Sequence, residues 1–190
     1  MRSLTCAALL LLGACGGGGP APARAPSHTV SDVYVANTDS DASPERITLR
    51  LADSSKRTAI GEAPLPVWTA LAAVYRELGL PISRADREGL QIATEGQRVS
   101  RRLGGTQLSR WVDCGRSPAG SPNADLYSVS LTVVTTVTAT ETGSMIETRI
   151  GGAARDPNRD APPVSCSSTG QLEQRIARDV GLRIAGVGPR

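Results

Sequence analysis

The sequence predicts an α+β fold: an antiparallel sheet of about five to seven strands packed on two helices, helix-grip-like, in a single domain covering residues 29 to 190. Three observations predict it. Several runs alternate apolar and polar residues with the period of a half-buried strand, two stretches repeat apolar residues at three and four as an amphipathic helix does, and Gly, Pro and Asn punctuate the gaps between them. A chain of 190 residues with 39% hydrophobic and 21% charged residues suits one modest core and leaves little for a second.

From Glu45, Ile47, Leu49 and Leu51 alternate with Arg46, Thr48 and Arg50, which predicts a strand, and a shorter one is expected around Val33 and Val35. Pro64 and Pro66 then open a helix whose Val67, Trp68, Leu71, Val74, Tyr75 and Leu78 form one apolar face, ending at Gly79 with Pro81 beyond. An antiparallel meander is expected next: Leu90 with Ile92, then Val99 to Leu103, then Leu108 to Val112, with Gly96 and Gly104-Gly105 as turns. A Gly/Pro/Ser/Asn stretch from 115 to 123 interrupts it. The clearest strand follows, with Val129, Leu131, Val133, Val137 and Ala139 on one face and Ser and Thr on the other; Glu141 to Ser144 turn it into a hairpin with Ile146, Thr148 and Ile150. Residues 152 to 165 read as a second polar loop. Ser168 with Gln171 gives a capping-box signal for a last helix carrying Leu172, Ile176 and Val180, with Gly181 near its end.

The N-terminus has a different character. Met1-Arg2-Ser3-Leu4 leads into an apolar run through Leu12, a short basic start and hydrophobic stretch of the kind that forms an export signal and is about half as long as a membrane-spanning helix. Leu12-Gly13-Ala14-Cys15 resembles the lipobox of bacterial lipoproteins. The resemblance implies removal of residues 1 to 14, acylation of Cys15 as the membrane anchor, and, with Gly16 rather than Asp after the cysteine, delivery to the periplasmic face of an outer membrane. Two or more acyl chains anchor a protein durably where one does not. Residues 15 to 28, rich in Gly and Pro, then read as a tether that reaches up to ~40 Å when extended at ~3.3 Å per residue.

Four cysteines are present, and Cys6 falls within the export signal. Outside the cytoplasm the two in the folded part, Cys114 and Cys166, are expected to pair, closing a loop of about 50 residues. Neither belongs to a Cys-x-x-Cys redox motif.

Catalytic constellations are scarce. The single histidine, His28, lies in the tether, so Ser-His-Asp catalysis has no base in the domain and histidine-based metal sites are not expected. No cofactor is expected. Asp39 with Asp41 and Asp156 with Asp160 read as solvated loop charge, and Asp86, Glu88, Asp113 and Asp125 are candidates for carboxylate chemistry in that no feature of the sequence excludes them. The net charge of +3 and the 3% aromatic content do not suit a nucleic-acid surface. Arg98, Arg101, Arg102 and Arg110 form the densest basic cluster and read as a charged outer strand face.

Val67-Trp68-Thr69-Ala70-Leu71 through Leu78-Gly79-Leu80-Pro81-Ile82, then Asp86 and Gly89-Leu90-Gln91-Ile92-Ala93-Thr94, resembles the start of a helix-grip domain in the BamC/NlpB family of outer-membrane assembly lipoproteins. The resemblance covers about 30 residues and implies a role in outer-membrane assembly or maintenance. The leading expectation is therefore a non-catalytic interaction or scaffolding domain with an envelope-protein partner, held at the membrane through Cys15. The alternative is a carrier of a small apolar ligand or lipid, in a cavity lined by Trp68, Tyr75 and Val133.

Overall fold

In the computed structural model, residues 55 to 187 are described in full, together with the backbone of strands β1 (Val30–Val35) and β2 (Glu45–Arg50). The expected export signal, Cys15, the tether with His28, and the Asp39/Asp41 pair lie outside the described residues. β1 and β2 fall where the alternation around Val33 and Ile47 predicts strands, and they pair antiparallel with each other.

The domain is α+β. Seven strands form one antiparallel sheet, β3 (Lys56–Ile60), β4 (Arg84–Asp86), β5 (Gln91–Ser100), β8 (Val112–Asp113), β9 (Ser128–Thr140), β10 (Gly143–Arg155) and β11 (Val164–Ser168), and two 14-residue helices, α1 (Pro64–Glu77) and α3 (Gln171–Ile184), pack on one face of it. The two-residue strands β6 (Arg102–Leu103) and β7 (Thr106–Gln107) pair with each other, and α2 (Asn123–Leu126) is a single turn. The sheet runs β4-β5-β9-β10-β11-β8, and β3 lies on the same edge of β10 as β11. β10 is long enough for both neighbours: Ser144 to Thr148 pair with β3, and Gly151 to Ala154 with β11.

α1 starts at Pro64, where a missing N–H costs nothing. Val67, Ala70, Leu71, Val74 and Tyr75 are its buried stripe. It stops where the sequence predicts, because Gly79 takes φ +72° and lets the Leu80 amide reach back to the Tyr75 carbonyl at 2.9 Å while Leu80 itself is buried. Against this stripe lie Ile92, Leu131, Val133, Val137, Ile146 and Ile150 of the sheet and Leu172, Ile176 and Val180 of α3. Each fully buried Leu, Ile or Val contributes roughly 1.5–3 kcal/mol of transfer free energy, so these faces hold the layers together.

The structure departs from the sequence reading where local signals mislead. Gly96 is a bulge inside one continuous β5 rather than a turn between two strands; with φ +62° it shifts the pairing with β9 between Thr94 and Gln97. Leu108 to Arg110 form a 3-10 turn, not a strand, because the Gly104-Gly105 hairpin brings the chain round and the Leu108 amide bonds the Arg101 carbonyl at 2.8 Å. The polar loop expected over residues 152 to 165 is shorter. Gly152 and its neighbours belong to β10, where a Cβ on Gly152 would lie 2.9 Å from the Ser130 carbonyl oxygen, and β11 occupies the loop's far end. β3 was not expected at all. Ser168 does not make the expected capping box: its hydroxyl binds the buried carboxylate of Glu173, and the amide of Gly170, the residue before α3, donates to it at 2.9 Å. α3 also runs through Gly181 and ends at Ile184, and Gly186 just beyond it takes φ +73°.

Candidate functional site

Cys114 and Cys166 form a disulfide. β8 and β11 pair through Asp113 with Ser167 and Val112 with Ser168, which sets Cys114, just past the end of β8, beside Cys166 of β11, both buried. β8 is only two residues long, so the bridge is what fastens this edge of the sheet. Around it, the Asn123 side-chain amide donates to the Cys114 carbonyl at 3.1 Å, and Asp125 accepts from the Ser109 amide at 2.9 Å and its hydroxyl at 2.7 Å.

Trp68, Tyr75 and Val133, the candidate cavity lining, sit in the core. Tyr75 and Val133 are 0% exposed, and Trp68 packs at the core's margin with its indole N–H 3.5 Å from the Gln91 carbonyl. The Tyr75 hydroxyl is 2.8 Å from Thr135 Oγ1, which is 3.0 Å from Thr148 Oγ1, making a chain of three buried hydroxyls. Burial pushes the Tyr75 pKa well above its ordinary value, against a smaller opposing effect from Thr135.

The candidate carboxylates do not converge. Asp86 accepts the amides of Glu88 and Gly89, Asp113 that of Gly115, and Asp156 that of Asn158, each within its own turn, while Asp125 holds Ser109. Among the described residues, no group of three or more His, Cys, Asp or Glu is placed to hold a metal, and no helix is long and apolar enough to cross a membrane. A buried acid that the sequence reading missed is Glu173, 2% exposed, with Oε1 accepting from the Ser168 hydroxyl and Oε2 buried without a partner. Burial raises its pKa, and Ser168, its backbone amide and Lys56 oppose that. Its signal in the sequence was its position one residue after Leu172, on the inner side of α3.

Two open grooves flank the disulfide unit. One, of about 350 Å³, lies between the two polar loops and is lined by Arg101, Ser117, Pro118, Leu126, Tyr127, Asp156, Asn158 and Arg159. Leu126 is 50% exposed there. The other, of about 690 Å³, separates the 3-10 turn from α3 and is lined by Thr106, Arg110, Trp111, Gln171, Gln174, Arg175 and Arg178. The basic cluster is thus divided rather than gathered on one face: Arg101 faces one groove and Arg110 the other, while Arg102 bonds the Gly105 carbonyl at 3.1 Å. Compared with known proteins, the chain matches no protein-family model and no curated protein.

Proposed function

We propose that this is a lipid-anchored envelope protein whose folded domain binds another envelope component and catalyses no reaction. The observation that carries it is Leu12-Gly13-Ala14-Cys15 at the end of an apolar, export-type run, followed by a Gly/Pro-rich tether. The Cys114–Cys166 bridge supports an oxidising compartment. Binding is the favoured role because Asp86, Asp113 and Asp125 are each engaged in a separate local hydrogen-bond arrangement, whereas the groove between the two polar loops presents an exposed leucine amid polar and charged groups, the composition of a protein-contact site. The core positions of Tyr75 and Val133, outside both grooves, favour this over the apolar-ligand carrier.

The test has two arms. In a diderm bacterium, the full chain should incorporate a clickable palmitate analogue and fractionate with the outer membrane, and Cys15→Ser should lose the label and leave the membrane fraction. A photo-crosslinker at position 126 should trap a discrete envelope partner that the same probe at position 84 does not. An unlabelled wild-type chain would overturn the anchor, and identical crosslinking from both positions would overturn the interface.

A further inference from the structure

We infer that the groove between α3 and the 3-10 turn at Leu108–Arg110 is a binding site for a phosphate monoester. α3 carries Gln171, Gln174, Arg175 and Arg178 at i, i+3, i+4 and i+7, so one polar helical stripe forms a whole wall of the groove. Arg110 and Thr106 face it across the gap, with Trp111 between.

The charges do not cancel. Asp179 takes both guanidiniums of its own helix, Arg175 at 2.5 Å and Arg178 at 3.1 Å, while Arg110 has no ion-pair partner among the described residues. Three guanidiniums against one carboxylate leave two positive charges on one groove. A phosphate monoester carries about −1.5 to −2 charges near neutral pH and three acceptor oxygens, which matches that surplus. The forked N–H groups of arginine suit such oxygens, and the amides of Gln171 and Gln174 can serve ester or hydroxyl groups beside them. The groove, at about 690 Å³, has room for more than the phosphate alone.

The walls are held in place before any ligand arrives. The Thr169 amide donates to the Trp111 carbonyl at 3.0 Å and its hydroxyl to the Arg110 carbonyl at 2.6 Å, so the chain two residues before α3 is bonded to the opposite wall. The Trp111 indole donates to the Leu103 carbonyl at 3.2 Å, and the disulfide ties β8, directly after Trp111, to β11, directly before α3. A site fixed in this way loses less entropy on binding than a mobile one.

Trp111 is also the reporter. The chain has two tryptophans, so Trp68→Phe leaves Trp111 as the sole indole. In that background the full chain, in neutral detergent at constant ionic strength, is titrated with glycerol 3-phosphate, and separately with phosphatidic acid in mixed micelles. A saturable change in Trp111 fluorescence is expected, weakened about tenfold or more by Arg110→Gln and by Arg178→Gln and unaltered by Arg84→Gln, which lies on β4. Response to the soluble ester identifies a soluble phosphate as the source, and response only to the micelles identifies a lipid headgroup; either supports the site. An equal response to chloride, no saturable response to either probe, or affinity indifferent to Arg110 and Arg178 overturns it. Unchanged melting temperatures for the two exposed arginine variants exclude misfolding as the cause of lost binding.

Discussion

Thr135 occupies a core position of β9 that the alternation of Val133 and Val137 marks as apolar, and it is wholly buried. It is tolerated because its hydroxyl lies between those of Tyr75 and Thr148. Removing the middle of such a chain is worse than removing its end. Thr135→Val strands the buried Thr148 hydroxyl and leaves that of Tyr75 with only the Ile92 carbonyl at 3.5 Å, so it should cost about 1–3 kcal/mol, whereas Tyr75→Phe leaves the Thr135–Thr148 bond intact and should cost less, about 1 kcal/mol. Urea unfolding of both variants checks the order, and a larger loss for Tyr75→Phe would refute it. Glu173 supplies a pH dependence. Its folded-state pKa is raised above the ordinary 4.5, so over the interval between that value and the raised one the folded chain binds more protons than the unfolded chain. Stability contributed by this residue is present below pH 4.5 and is lost as pH rises through the folded-state pKa. Glu173→Gln should flatten the fall in stability across that interval, as read from melting temperatures between pH 4 and pH 8, and an unchanged slope would count against it.

At the scale of elements, β10 organises the sheet by serving two strands along one edge. The arrangement depends on Gly143, whose φ of +147° and position against β3 exclude a side chain: a Cβ there would stand 2.3 Å from the Ile60 carbonyl oxygen. Across the sheet surface Glu147 of β10 binds Arg57 of β3 at 3.0 Å and Arg149 at 2.6 Å. Its own partial burial would raise its pKa, and the two arginines outweigh that and hold it below the usual value. Beyond β11 on the same side of β10, β8 makes two paired positions with β11 and owes its place to the disulfide. With the cysteines 52 residues apart, the bridge should contribute about 4 kcal/mol in the chain-entropy model. The Cys114→Ala/Cys166→Ala double variant should therefore unfold at markedly lower urea concentration than the wild type and lose amide protection first in β8 and the 3-10 turn. An unchanged midpoint would show that packing alone holds the edge.

For the molecule as a whole, the signals that could be read in advance were those whose cause is local. The α+β class, the start and stop of α1, the β9–β10 hairpin and the pairing of Cys114 with Cys166 follow from apolar period, Pro and Gly chemistry, and the pairing of two cysteines in the folded part, each within reach of a short window or a simple count. β3 and β11 escaped because they are short, half-polar strands that form only where β10 offers an edge. Gly96 reads as a turn and Gly152 as the start of a loop because glycine has the same local meaning in a turn, in a loop, in a bulge and beneath a crowding neighbour. The grooves were the least legible. The stripe of Gln171, Gln174, Arg175 and Arg178 was visible in the spacing of α3, but the opposite wall comes from Thr106 to Trp111, and Thr169 bonds Arg110 across 59 residues of chain. The sequence by itself determined which faces must be buried, since burial follows from each element's own periodicity. Only the tertiary structure decided which polar faces meet, because that depends on contacts between distant segments that no local pattern encodes.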